Sequence, residues 1–340
     1  MNLKLALLSH QMQRWPRLKN RQSPQTSLLK RPVIRTADVS GSMAGTQACC
    51  HLGRWHQGWC PDGPAEFESS AADPIHKPLD TTHGVSVQLP GSMKPSSPGM
   101  NTISRKDGRQ ASELRPFAVE WDPMGFALSS VIVRTGRTAV LCSVCHEQGV
   151  PRWRRDQGLG WLSAEYRLLP GSTPERQRRE WLKLSGRTQE IQRLIGRSLR
   201  AALSMEALGE NTLLVDCDVI QADAGTRTAS ITGAWLALHH ACASLVSQGL
   251  IPANPVRAQV AAVSVGLLQG EALLDLDYSE DSQADVDLNV VMNASGELLE
   301  LQGTAEGATF SRQQLNLLLD RAEPGLKQLM RAQNEALRTQ

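Results

Sequence analysis

The sequence predicts one mixed α/β domain behind a long segment of different character. Three observations lead there. From residue 107 onward, apolar runs with strand-like and helix-like spacing follow in the order strands, helix, strand, helix, strands, helix. That order is not the strict strand–helix alternation of a doubly wound sheet. Residues 1–99 show little of either periodicity and are rich in Pro, Ser, Gly and His.

Composition limits what such a chain does. Of the 340 residues, 41% are hydrophobic, enough for a sizeable core. The formal net charge is only +2, so a surface for a polyanion must be a local patch. No apolar run approaches the ~20 residues of a membrane span, and no membrane partner is expected. The seven cysteines form no disulfide pattern. Cys142 and Cys145 make a C-x-x-C, but it lies in TAVLCSVC, an apolar run that reads as a strand. Buried thiols are the plainer reading there than redox or metal chemistry. Nothing argues for an oxidising compartment, and a cytoplasmic location is expected.

The first 99 residues contain no acid before Asp38, whereas Lys4, Arg14, Arg17, Lys19, Arg21, Lys30, Arg31 and Arg35 are basic. This suits a transit peptide, which would make the protein organellar. It suits equally a leader before a functional chain that begins at Met100. Cys49, Cys50, His51, His56 and Cys60 match no structural zinc spacing. A disordered, low-complexity extension is expected over 1–99 and a folded domain over 100–340.

The folded part opens with strands. Phe126–Arg134 and Thr138–Val144 read as a hairpin about Thr135-Gly136-Arg137, and Gly160–Tyr166 as a third strand. Residues 152–200 then hold eleven arginines against five acids, the local basic patch that the near-neutral total conceals. Polyanionic RNA is its natural partner. A solvated helical face, with pairs such as Glu175 and Arg179 at i,i+4, uses up part of the run but not its excess.

Within that region Arg187–Leu203 is the clearest helix. Ile191, Leu194, Ile195, Ser198, Leu199 and Ala202 form one stripe, with Arg193, Arg197 and Arg200 on another face. Arg187 stands at the helix start, where the macrodipole favours acids, and so hints at a nearby anion.

Leu213–Ile220 reads as a strand, Ala229–Val246 as a buried helix, and QADAGTRTASITG (221–233) joins them. Gly225 lets an anion approach the backbone closely. Thr226 and Thr228 are candidate caps for the helix. Its first N–H groups are unpaired and carry the positive end of the dipole. Arg227 adds a planar charged fork suited to phosphate oxygens. Gly225, Thr226 and Arg227 thus make a candidate phosphate site. For GTR alone, an ordinary capped turn whose arginine meets a carboxylate remains the alternative.

Beyond Pro252 and Pro255, Val256–Leu268 and Glu271–Tyr278 pair about Gln269-Gly270. Alternation puts Leu274 and Leu276 on one face and Asp275 and Asp277 on the other. Asp281, Asp285 and Asp287 follow at once. Five aspartates within thirteen residues need solvent, arginine partners or a cation. Hard oxygen ligands suit Mg²⁺ or Mn²⁺, and an acidic loop paired with arginines fits the composition equally. Leu288–Met292 and Glu297–Gln302 form a last hairpin. A helix from Ser311 to Leu337 follows, broken at Pro324-Gly325.

QADAGTRTASITGA (221–234) closely resembles the corresponding segment of ribonuclease PH, a family of phosphate-dependent 3′→5′ exoribonucleases. DGRQASELRP (107–116), GLGWLSAEYRLLP (158–170), GRTQEIQRLIGRSLR (186–200), DLDYSEDSQADVDLNVVM (275–292) and LQGTAEGATFS (301–311) resemble the same family in the same order. The resemblance covers roughly 100–340. It implies an α+β fold, a two-layer mixed sheet with packed helices, assembled as a hexameric ring that is a trimer of dimers. It also implies phosphorolysis, in which inorganic phosphate attacks the 3′-terminal phosphodiester of RNA and releases a nucleoside diphosphate. The usual substrate in the family is the 3′ trailer of precursor tRNA.

By the same resemblance Arg187 matches a phosphate-binding arginine, beside Gly225, Thr226 and Arg227. Asp281 and Asp287 match the positions of metal-dependent catalysis with Mg²⁺ or Mn²⁺, Asp287 being alternatively a general acid. Arg176, Arg178, Arg179, Arg193 and Arg197 would grip the RNA backbone without reading bases. The chain departs from the family at Gly171, where arginine is common, and at Ala224, where glycine is common. The segment LPGSTPERQRREWLKLSGRT is about two residues short. The change at 224 is conservative only if that residue has a negative φ. The alternative function is an inactive RNA-binding subunit of an exosome-like ring. Retention of Arg187, Thr226, Arg227, Asp281 and Asp287 favours the enzyme.

Overall fold

Strands whose inward residues are Val, Leu, Ala and Cys build two sheets, and the longest apolar helix fills the space on their inner faces. The computed structural model describes residues 104–307 and 309–340, with the backbone of Gly84–Val85, all within one unit, His76–Gln340. The first sheet holds β1 (Gly84–Val85), β2 (Phe117–Trp121), β3 (Ser129–Thr135), β4 (Thr138–Gln148), β5 (Trp161–Leu168) and β6 (Asn211–Gln221). Their order is β1-β2-β3-β4-β6-β5. Only β5 and β6 run parallel, and α1 (Gly186–Ala201) with α2 (Met205–Leu208) supplies the crossover such a pair requires.

The expected hairpin is β3–β4, with Val133 opposite Val140. Short β2, FAVEW, carried too weak a pattern to be predicted. The expectation for 1–99 lies outside the described residues, apart from Gly84–Val85, which pair with Glu120 and Val119.

The second sheet is antiparallel, with order β10-β9-β7-β8. It contains β7 (Val260–Leu268), β8 (Glu271–Leu274), β9 (Val286–Asn293) and β10 (Leu298–Ala305). The helix α3 (Thr226–Ser247) packs on β3 and β4 of the first sheet and on β7 of the second. It corrects the expectation that no apolar run reaches membrane length. It spans 22 residues, is apolar enough by length and composition to cross a membrane, and is mostly buried inside the protein. A helix apolar all round is a core helix in this setting. Gly233 permits its close approach, since a Cβ there would lie 2.7 Å from Val133 Cγ2. Cys142 and Cys145 lie three apart on β4, hence on opposite faces, and are free thiols.

Three further expectations are corrected. The strand from Glu271 ends at Leu274. Asp275 turns to a φ of 53° and is buried, and Asp277 caps the short α4 (Tyr278–Asp281). Alternation therefore does not separate Leu274 and Leu276 from the aspartates. The last helix, α5 (Arg312–Arg338), runs unbroken through Pro324. Ser311 and Gln314 box its start, and Leu318, Ala322, Leu326 and Leu329 are buried on both sides of the proline. That packing offsets the backbone hydrogen bond that Pro324 cannot make. Residues 169–185 form no helix, so Glu175 and Arg179 are not an intrahelical pair.

Candidate active site

The start of α3 is set by two successive left-handed residues, Ala224 (φ 57°) and Gly225 (φ 64°). Gly225 is the N-cap and no side chain caps the helix. The first-turn N–H groups, lacking intrahelical partners, are left for an anion. Thr226 and Thr228 are thus not the caps expected. The Thr226 hydroxyl lies 2.8 Å from the Tyr166 hydroxyl, and Thr228 donates back to the Gly225 carbonyl.

The turn is held from below. Thr138 Oγ1 donates to the Ala224 carbonyl at 2.7 Å and accepts from the Asp223 N–H. Arg115 donates through Nη1 to the Asp223 carbonyl and through Nη2 to Asp275 Oδ1, at 2.6 and 2.7 Å. A Cβ on Gly225 would lie 2.9 Å from that same Nη2, so residue 225 has to be glycine. Ala224 has a positive φ, so its replacement of the family's glycine is not conservative. The left-handed region costs an L-residue about 1–2 kcal/mol.

Arg227 Nη2 donates to Glu190 Oε2 at 2.9 Å, and Gln302 Nε2 donates to the other oxygen at 2.8 Å. The arginine therefore does meet a carboxylate. A guanidinium has five N–H groups, however, and Arg227 Nε is buried without a partner. Burial pushes the Glu190 carboxyl up. The hydrogen bonds from Gln302 and Arg227 and the charges of Arg227 and Arg187 outweigh it and hold the group below its ordinary range.

Arg187 lies exposed in the first turn of α1, which Ser185 caps by accepting from the Thr188 N–H. Among the described residues its guanidinium has no hydrogen bond or ion pair. Its charge favours the ionised forms of Tyr166, Glu190 and Asp281.

Asp281 ends α4 and Asp287 lies on β9, where its Oδ1 accepts from Thr304 at 2.7 Å. Asp281 keeps an exposed surface, yet desolvation by the protein around it raises its carboxyl above the ordinary range, and the Asp287 charge adds to this. Arg187, Arg227 and Arg115 act against both. The five aspartates thus separate. Asp275 is buried on Arg115, Asp277 caps α4, Asp285 is exposed, Asp281 closes α4 within the field of Arg187 and Arg227, and Asp287 accepts from Thr304.

Among the described residues no group of three or more His, Cys, Asp or Glu is placed to hold a metal. Two neighbouring carboxylates nonetheless fit Mg²⁺, which keeps several waters and takes one or two carboxylates with substrate phosphates.

Of the expected RNA contacts, Arg176, Arg178, Arg179 and Arg193 are exposed. Arg197 is exposed as well and pairs at the surface with Glu300 Oε1 at 2.7 Å. Arg200 is also engaged, bonded to the Leu162 carbonyl and stacked 4.6 Å over Trp161.

Sequence reasoning missed the supports: Arg115, Thr138, Tyr166, Glu190, Gln302 and Thr304. Each acts across a long sequence separation, and only membership of the matched stretches hinted at some of them. Arg105 belongs with them, since it grips Glu280 through Nε and Nη2 at 2.7 Å and anchors α4.

Comparison with known proteins accounts for this arrangement. Residues 113–244 match domain 1 of the 3′ exoribonuclease family, and residues 258–323 match its domain 2. The chain belongs to the ribonuclease PH family. It is 75% identical over 232 residues to ribonuclease PH of Synechococcus sp. (strain CC9605), covering 68% of this chain and 94% of that protein. It is 60% identical over 234 residues to that of Synechococcus elongatus, covering 69% and 98%.

Solved structures share the fold. An Archaeoglobus fulgidus exosome with RNA bound to the active site superposes with a TM-score of 0.59 at 22% identity, covering 67% of this chain and 92% of that one. An archaeal exosome core does so with 0.57 at 21%, covering 68% and 91%. At the identity of the ribonuclease PH relatives the activity is the family's own. The chain is a phosphorolytic 3′→5′ exoribonuclease with inorganic phosphate as co-substrate.

Proposed function

We propose that the start of α3, with Arg227 and Arg187, holds the attacking phosphate, and that Asp281 and Asp287 hold Mg²⁺ or Mn²⁺ opposite it. The supporting observation is that one strand ties the two halves together: Gln302 of β10 donates to Glu190, which accepts from Arg227, and Thr304, two residues on, donates to Asp287. Phosphate at neutral pH carries roughly −1.5 to −2 charges and must approach another anion. Fixed positive groups matter more for this than a strong base.

The unpaired N–H groups after Gly225 point along the helix axis at the anion, and the arginines neutralise it. A phosphate oxygen then bonds to the last phosphorus of the RNA. The bond from that phosphorus to the 3′ oxygen of the preceding nucleotide breaks, the oxygen takes up a proton, and the nucleoside diphosphate leaves. Asp281 and Asp287 would hold the cation, which when bound neutralises charge on the transferring group and the leaving oxygen.

The exposed Arg176, Arg178, Arg179 and Arg193 would grip the backbone of the RNA body, and the substrate we assign is the 3′ trailer of precursor tRNA. A hexameric ring is the assembly we propose, supported by the family resemblance. The decisive experiment incubates the protein with a 3′-extended precursor tRNA and with an unstructured RNA of the same tail, each with and without phosphate. Diphosphate product released preferentially from the precursor supports the reading, whereas equal trimming of both RNAs removes the tRNA assignment. Mass measurement in solution tests the ring.

A further inference from the structure

One carboxylate beside the phosphate site has no place in the chemistry just described. Glu190 lies one turn after Arg187 on α1, and both its oxygens are occupied, one by Arg227 Nη2 and the other by Gln302 Nε2. Gln302 stands on β10 opposite Asn289 of β9, and two residues on, Thr304 stands opposite Asp287 and donates to it. Residues two apart on a strand share a face. The same face of β10 therefore reaches the phosphate half of the site through Glu190 and the acidic half through Asp287.

We infer that Glu190 is a positioning residue for phosphorolysis: clamped by Gln302, it fixes the Arg227 guanidinium in the orientation that receives phosphate. This rests on the assignment of Arg227 to the phosphate. An arginine on its flexible stem is a poor preorganised donor unless a partner holds it. Here the partner takes one N–H of Nη2 and leaves the buried Nε without a protein acceptor. Glu190 cannot swing aside to compete for the whole fork without breaking its bond to Gln302. The unfilled Gln302 Oε1, also buried, belongs to the same clamp.

The test is Glu190→Gln in the full-length protein. It keeps the size of the side chain and removes its charge. KM for phosphate, KM for RNA, kcat for diphosphate release and the melting midpoint are read together. The expected result is a rise of about tenfold in phosphate KM with RNA KM within about twofold. That lies below the ~100-fold that a 1 Å misplacement of a reacting group can cost. A fall in phosphate KM would show that Glu190 competes with the anion. A lower melting midpoint with unchanged phosphate KM would show a merely structural role. Either overturns the inference.

Gln302→Ala is the second variant and decides the matter if Glu190→Gln does not fold. It frees the carboxylate, and a rise of about threefold in phosphate KM is expected. An unchanged value overturns the clamp. In an Arg227→Ala background, Glu190→Gln should add nothing to phosphate KM. If Arg227→Ala itself has a wild-type phosphate KM while diphosphate is still released, the phosphate assignment has failed and the positioning role falls with it, whereas a raised phosphate KM in Arg227→Ala beside an unchanged one in Glu190→Gln overturns the positioning role alone.

Discussion

Ala224 shows how one residue carries both the geometry of the site and a local cost. Its φ of 57° belongs to glycine, and Thr138 and Arg115 hold the turn around it. Ala224→Gly should relieve about 1–2 kcal/mol of strain and lose about 0.5–1 kcal/mol to the freer unfolded chain. A net gain of about 0.5–1 kcal/mol, near 2–4 °C in melting midpoint per kcal/mol for a domain of this size, is expected with phosphate KM unchanged. Calorimetry on the two proteins checks it, and a lower midpoint contradicts the strain. Arg187→Ala and Arg227→Ala should each cost on the order of 1.5–3 kcal/mol of phosphate binding, roughly tenfold to a hundredfold in its KM. RNA affinity should hardly move, and filter binding without phosphate measures that directly.

Asp281 is the residue whose pH behaviour has a worked sign. Its folded pKa is raised, so its contribution to stability is present below the ordinary aspartate range and lost as pH rises through the folded value. In metal-free protein at neutral pH, Asp281→Asn should therefore melt above the wild type, and this advantage should shrink in acid. Its phosphorolysis should be lost at Mg²⁺ concentrations that saturate the wild type. An Asp281→Asn protein that is both less stable at neutral pH and fully active would contradict both halves.

At the scale of elements, α5 is the informative case. Pro324 is exposed in mid-helix and Gly325 lies beneath Leu274, where a Cβ would come within 2.7 Å of Leu274 Cδ2. Pro324→Ala should stabilise the protein by up to about 3 kcal/mol, because it restores a backbone hydrogen bond at no cost in packing. Gly325→Ala should destabilise it in spite of alanine's helix propensity, because the helix must shift off β8. Urea midpoints of the two variants, with unchanged slopes, separate the effects, and the same sign for both would contradict this account. Helix α3 makes a related point. Its apolar surface and Gly233 serve close packing against the strands around it, so a membrane-like composition is here a core composition.

At the scale of the whole molecule, the stretch of 232 residues shared with a ribonuclease PH relative spans 94% of that protein and 68% of this chain. We therefore expect the chain starting at Met100 to fold and to phosphorolyse RNA at about the full-length rate. It loses only the two-residue pairing of β1 with β2 among the described residues. Insolubility or inactivity of the shortened chain would show that residues 1–99 take part in the fold or in RNA binding.

The order of strands and helices, the core helices and the loop from Gln221 to Gly233 were legible in the residues, while the α+β class and the candidacy of Arg187 beside Arg227 came with the family resemblance. They depend on local periodicity, turn chemistry and segments matched to a family, all of which act within one stretch of chain. Other features were not legible. Thr226 is bonded to Tyr166 instead of capping, Arg197 is drawn to Glu300, and Asp275 is buried under Arg115 while Asp281 is left near the arginines. The continuity of α5 through Pro324 and the bridge from Gln302 through Glu190 to Arg227 belong with these. Each joins residues from different elements, or weighs packing against propensity. A carboxylate's choice among arginines and a helix's tolerance of a proline depend on what the fold brings within a few ångströms, and no local pattern encodes that.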